Sequence, residues 1–224
     1  MKSLNNGILL LLIQFIQGGK RLNKFNLNAL KDFDRIVFNE IRQYVSEIND
    51  EEYVDSANLI IKAQEQGNRV HITGIGKPGH VAAYSASLLS STGTPTYFLD
   101  GTEAVHGSCG QLLPGDVVIC ISNSGETAEL MATVKAIKNN GCLIISITGN
   151  RNSWLAKQGD THIFAGVKEE GDPMNRAPRA SILAETYVIQ RLSLLLQTYR
   201  NLDPAQYIKW HPGGTLGKLR DNEK

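Results

Sequence analysis

Val117-Val118-Ile119-Cys120-Ile121-Ser122-Asn123-Ser124-Gly125-Glu126-Thr127 decides the fold class. Its first five residues are apolar without alternation. That pattern predicts a strand over 117–122 buried on both faces, as in a parallel sheet. Hydroxyls, a glycine and an acid follow. Ala128–Asn139 then reads as a helix, ended by Asn140-Gly141. A second apolar strand follows at 143–148. Strand, helix and strand in this order imply parallel strands joined by a right-handed crossover.

The same alternation extends in both directions. Upstream, 69–75 and 96–99 read as strands around a helix at 81–90. Downstream lie a short helix at 153–157, a strand at 161–165 and a long apolar helix at 182–199. Before the first strand, Leu30, Phe33, Ile36, Val37 and Ile41 recur at helical spacing, so 28–66 reads as helices. The expected architecture is α/β: an N-terminal helical segment over 1–66, packing on the core or on a partner subunit, and a three-layer α/β/α sandwich over 67–224.

Composition narrows the function. Hydrophobic residues make up 42% of the chain, enough for a sizeable core. The formal net charge is +1 with acids and bases intermixed, which argues against a nucleic-acid footprint. Cys109, Cys120 and Cys142 show no Cys-x-x-Cys spacing and read as free thiols, not a disulfide framework or zinc site. The histidines lack a close ligand spacing, so no metal or other cofactor is expected. The apolar run 8–16 is broken by Gln14 and is far shorter than the ~20 residues of a spanning helix. A packed helix, no membrane association and a cytoplasmic location are expected.

The residues that carry chemistry follow the strands. Ser122, Asn123, Ser124 and Thr127 stand at a helix entrance, where unpaired N–H groups and positive potential favour a phosphate. The bland reading is helix capping by Ser124 or Thr127. One cap would suffice, and the loop carries three hydroxyls. The Gly-Lys-Ser/Thr ending of a P-loop is absent, which disfavours nucleotide triphosphate hydrolysis. Gly74-Ile75-Gly76-Lys77-Pro78-Gly79-His80 follows the first strand and resembles a dinucleotide fingerprint only loosely, with its third glycine misplaced. Glu103 stands near His106 in a third loop, and Glu170 lies in a charged loop after the last strand, which could be merely solvated. Near the C-terminus His211-Pro212-Gly213-Gly214 reads as an ordered turn. An unperturbed imidazole titrates near neutrality and suits proton transfer.

Five segments occur in one order: Gly74 to Lys77, Ser91-Thr92-Gly93-Thr94-Pro95, Glu103 to Gly107, Ile121 to Glu126, and His211-Pro-Gly-Gly-x-Leu-Gly217. Together they resemble the SIS (sugar isomerase) domain of bacterial D-arabinose 5-phosphate isomerases, over 68–218. The resemblance implies a five-stranded parallel sheet and a homotetramer. It also implies interconversion of D-ribulose 5-phosphate and D-arabinose 5-phosphate, which feeds the Kdo sugar of lipopolysaccharide or capsule. On this resemblance Ser122, Ser124 and Thr127 would hold the phosphate, helped by Ser91 and Thr92. Lys77, His106, Glu129, Glu170 and His211 would surround the reacting sugar, with His211 coming from a neighbouring subunit. Gly76, Glu103 and Asn123 complete the expected binding set.

The sequence departs from the family pattern at named places. Ser108 stands where an Asp is common, Pro78 replaces a Ser beside Lys77, and Arg179-Ala-Ser-Ile-Leu replaces a Ser/Thr-rich stretch. The paired CBS modules that often follow the domain have no counterpart within these residues. The expected mechanism is proton transfer between adjacent carbons through a cis-enediolate. His211 is the first choice of base and Glu129 the second. Lys77 or His106 would polarise the carbonyl oxygen, and Glu103 and Glu170 would orient these groups. The rival readings are an isomerase of the hexulose 6-phosphate type, a phosphosugar sensor without turnover and, more weakly, a dinucleotide enzyme.

Overall fold

The computed structural model describes residues 25–223. The apolar run 8–16 lies outside them. Five strands form one parallel sheet: β1 (Val70–Gly74), β2 (Thr96–Phe98), β3 (Val117–Ile121), β4 (Leu143–Thr148) and β5 (Thr161–Phe164). Their order is β2-β1-β3-β4-β5. The helices are α1 (Leu27–Ser46), α2 (Asp50–Glu65), α3 (Lys77–Ser91), α4 (Ala128–Asn139), α5 (Trp154–Gln158), α6 (Ala180–Tyr199) and α7 (Pro204–Trp210).

The alternation of β3 divides the core into two layers. Val117, Ile119 and Ile121 join Ile72, Leu89, Val188 and Leu192 on one face of the sheet. Val118 and Cys120 join Leu130, Val134 and Ile137 of α4 on the other. Every residue of β3 is buried, which explains the absence of polar residues along it. Tyr44 of α1 and Tyr53 and Ile60 of α2 belong to the first layer, so both helices complete the same core as the strands. All three cysteines are free and buried. Among the described residues no helix is long and apolar enough to cross a membrane.

The chain runs from β1 outward to β2, then returns past β1 to β3. Strand order therefore reverses between β1 and β3, and the crevice at their carboxyl ends is where ligands of such sheets collect. Gly74 and Gly79 let α3 close on that edge. A Cβ on Gly74 would lie 2.8 Å from the Pro78 carbonyl carbon, and one on Gly79 would lie 2.9 Å from the Gly74 oxygen.

Two elements differ from the sequence expectation. α3 begins at Lys77, not at 81, because Gly76 with φ +65° turns the chain straight into a helix that accepts Pro78 in its first turn. α7 is an addition to the expected elements. Its signals are Asp203, whose side chain accepts from Gln206 N at 2.7 Å, and Pro204 at the first helical position.

Candidate active site

The helix entrances single out one place in the fold. The first turns of α1, α2, α5 and α7 receive side-chain caps from Asn26, Asn49, Ser153 and Asp203. The entrance of α6 receives the Glu170 carboxylate, whose Oε2 accepts from Arg179 N at 2.6 Å and from Ser181 N at 3.1 Å. Among the described α-helices, only α3 and α4 begin without a side-chain cap. Both begin at the β1/β3 crevice. Pro78 has no N–H and the Gly79 amide donates to Gly76 O at 3.1 Å, so the amides offered to the cleft are chiefly those of α4, while both helix dipoles point positive potential into it.

The loop from Ser122 to Thr127 leaves α4 uncapped because its hydroxyls bond elsewhere. Ser122 Oγ accepts from Gly125 N at 3.1 Å and meets Thr127 Oγ1 at 3.2 Å. Ser124 Oγ accepts from Glu126 N at 3.2 Å and is exposed. Neither Ser124 nor Thr127 performs the capping that a purely structural loop would need. Gly125 has φ +67°, and a Cβ there would lie 2.2 Å from Ser153 Oγ. Asn123 is half-buried, and its carbonyl accepts from Gly149 N at 2.8 Å. Glu129 stands exposed in the first turn of α4.

Three further loops share this edge. Gly76 and Lys77 open α3 and are exposed, and Lys77 lines a groove of about 430 Å³ with Tyr84, Pro178 and Ile182. His106 closes a 3-10 turn, Ala104–His106, that follows β2. Thr133 Oγ1 of α4 donates to Gly101 O at 2.6 Å and fastens that loop beside Glu129. Glu170 follows β5 and is buried, so its charged loop is not simply solvated.

Some expectations need correction. Glu103 stabilises its turn through its carbonyl, which accepts from His106 N at 3.0 Å. Its carboxylate makes no hydrogen bond to His106 among the described residues, so it does not orient that ring. Ser91 and Thr92 lie at the far end of α3, before β2 begins. A helix of 15 residues separates them from Lys77 by about 22 Å at ~1.5 Å per residue. Their hydroxyls donate to helix carbonyls of Leu88 and Leu89, and Thr92 Oγ1 also meets Ser193 Oγ at 2.8 Å. They terminate a helix and do not reach the 122–127 loop of their own chain.

His211 also lies at this far edge. The neighbouring Trp210 ring packs against Gly93, and Arg200 Nε meets Thr94 Oγ1 at 3.4 Å. The His211 ring stacks on Tyr207 with centroids 3.9 Å apart, and its Nδ1 lies 2.9 Å from Tyr207 O. A carbonyl only accepts, so Nδ1 donates in this contact, and Nε2 is the ring nitrogen not engaged by it. The other histidines divide clearly. Burial pushes His71 and His162 down, and both are held in the sheet by Asp116 and Thr148 respectively. His80 is exposed and lines the grooves on both sides of the α3 entrance. The sequence reading gives it no role. Its signal is its spacing, one helical turn after Lys77.

The model of the SIS domain family matches residues 64–193. The chain belongs to the SIS domain family. Among its relatives is the arabinose 5-phosphate isomerase KdsD of Pseudomonas aeruginosa, 37% identical over 168 residues, covering 75% of this chain and 51% of that protein. Another is the Escherichia coli arabinose 5-phosphate isomerase KpsF, 38% identical over 167 residues, covering 75% and 52%. The chain spans about half the length of the curated relatives it matches. A solved structure of an E. coli CFT073 protein in complex with arabinose 5-phosphate shares 36% identity, with a TM-score of 0.72 over 84% of this chain and all of that one. This SIS domain sets Gly76, His106, Ser124 and Glu170 along one edge of its five-stranded sheet, with His211 on the other.

Proposed function

We propose that this SIS domain is a phosphosugar aldose–ketose isomerase that interconverts D-ribulose 5-phosphate and D-arabinose 5-phosphate. The observation that carries the proposal is the pair of uncapped helix entrances, α3 and α4, facing one crevice. The other described α-helices receive a side chain on their first turns, and these two leave theirs without one, as an anion site requires. Similarity to arabinose 5-phosphate isomerases, and to a protein bound to that sugar phosphate, supports this choice of sugar.

In this reading the phosphate binds at the α4 amides with Ser122, Asn123, Ser124 and Thr127, and Gly76 bounds the cleft. The sugar carbons extend toward Lys77, His106, Glu129 and Glu170. His211 Nε2 of another copy removes the proton beside the carbonyl. Lys77 or His106 donates to the carbonyl oxygen as charge develops, giving a cis-enediolate. The hydroxyl proton of the first carbon passes to the oxygen of the second through Lys77 or His106, the imidazolium returns its proton to the second carbon, and no redox cofactor is consumed. Glu129 is the second candidate base. A homotetramer with sites shared between subunits, in the cytoplasm, feeding Kdo synthesis, completes the proposal.

The test is direct. The protein incubated with ribulose 5-phosphate produces arabinose 5-phosphate, read by chromatography or NMR. Turnover of a hexulose 6-phosphate alone would assign a different sugar, and binding without turnover would make the chain a sensor.

A further inference from the structure

The α6 entrance holds two carboxyls. Glu170 is seated on it through Oε2, which accepts from the Arg179 and Ser181 amides. Glu185 lies on α6 four residues after Ser181, one turn deeper on the same face. It is 1% exposed, and both of its carboxyl oxygens are enclosed without a hydrogen-bond partner. The Ser181 hydroxyl is enclosed and unpartnered too. A buried carboxylate without a partner is costly, so the group resolves the cost by keeping its proton.

We propose that Glu185 is a positioning residue for Glu170: its neutral carboxyl, one turn inside α6, leaves Glu170 as the single anion of the pair, seated on the first-turn amides. Burial, and then the Glu170 charge, push Glu185 up to about 8. The surroundings support this pairing. Glu170, Asp172 and Arg179 stand in the loop entering α6, Tyr187 and Arg191 on α6 itself, Tyr44 on α1, Asp50 and Tyr53 on α2, and Lys77 and His80 on α3. Of these, Glu170 is the one whose charge acts on Glu185. Arg191 is engaged instead with Asp50 and with the Tyr53 ring. When Glu185 ionises, two anions face each other in a low-dielectric interior, and the seat of Glu170 is lost.

This inference rests on the reading that Glu170 borders the reacting sugar, and the experiment separates the two. In the full-length protein with labelled glutamate carboxyls, the Glu170 carbon signal moves as Glu185 ionises near pH 8, and E185Q removes that movement. Turnover of ribulose 5-phosphate by the wild type falls about tenfold from pH 7 to pH 9 as that step completes, and E185Q lacks this decline. A Glu170 signal blind to the ionisation of Glu185 overturns the proposal, and that measurement needs no variant. An alkaline decline that persists unchanged in E185Q also overturns it. A coupled Glu170 signal in a protein that turns over no phosphosugar upholds the pairing and defeats the isomerase reading instead.

Discussion

The Glu126 carboxylate accepts from the Trp154 amide at 2.7 Å, tying the loop after β3 to the start of α5 after β4. The bond holds the 122–127 loop from the side opposite α3, so the shape of the loop depends on a residue that need not touch a ligand.

Replacing Glu126 with Ala loosens this loop. The expected cost is about 1–2 kcal/mol of stability, the scale of a charge-assisted hydrogen bond. Urea unfolding measures that loss. The variant also binds phosphosugar more weakly, whereas a merely peripheral bond would leave affinity intact.

Ser124→Asp places a negative charge at the open α4 entrance. Phosphosugar affinity falls at least about a hundredfold, since the anion meets repulsion where it met free amides. Calorimetric titration reads the loss. Unchanged affinity would move the phosphate site elsewhere.

Ser91→Ala and Thr92→Ala leave phosphosugar affinity unchanged, because both hydroxyls serve the end of α3. Thr92→Ala still costs about 1 kcal/mol through the lost bond to Ser193. Equilibrium denaturation and the same titration separate the two effects.

His211→Ala abolishes most turnover, by about a hundredfold or more, with binding largely kept. Lys77→Ala is similarly impaired. Mixing and reassembling the two inactive variants restores a fraction of activity if sites draw residues from different copies. No recovery in mixed assemblies would place His211 outside the mechanism of a neighbouring site.

Glu185→Gln changes how stability follows pH. The wild-type carboxyl titrates at about 8 when folded, against 4.5 for the free group. Between those values the folded chain holds a proton that the unfolded chain has released. Stability therefore falls as pH rises through this window, by about 1.4 kcal/mol per unit at most. The Gln variant loses that slope and gains on the wild type toward pH 8. Parallel curves for the two proteins in urea melts at several pH values would contradict this.

Much of the fold is legible in the sequence because its strands are unmixed. The limits of α4 and β4 match the sequence reading residue for residue, since Asn140-Gly141 and the apolar run 143–148 leave little choice. The start of α3 is harder to read because glycine and proline normally argue against a helix, and here Gly76 and Pro78 begin one. The four loops at the carboxyl edge emerge from residue type and strand position together. Ser91, Thr92 and Glu103 mislead for a shared reason: polar groups bond first to nearby backbone, and sequence proximity does not show which way a side chain turns. Glu185 leaves no trace in the sequence, because a single acid in an apolar helix reads as a solvent-facing position until packing buries it.

His211 and Lys77 belong to opposite rims of the same sheet. An isolated chain would thus own a place to hold a phosphosugar and lack the His211 imidazole to work on it. Specific activity would then decline on dilution while ligand affinity held steady, so that assembly itself acts as the on-switch.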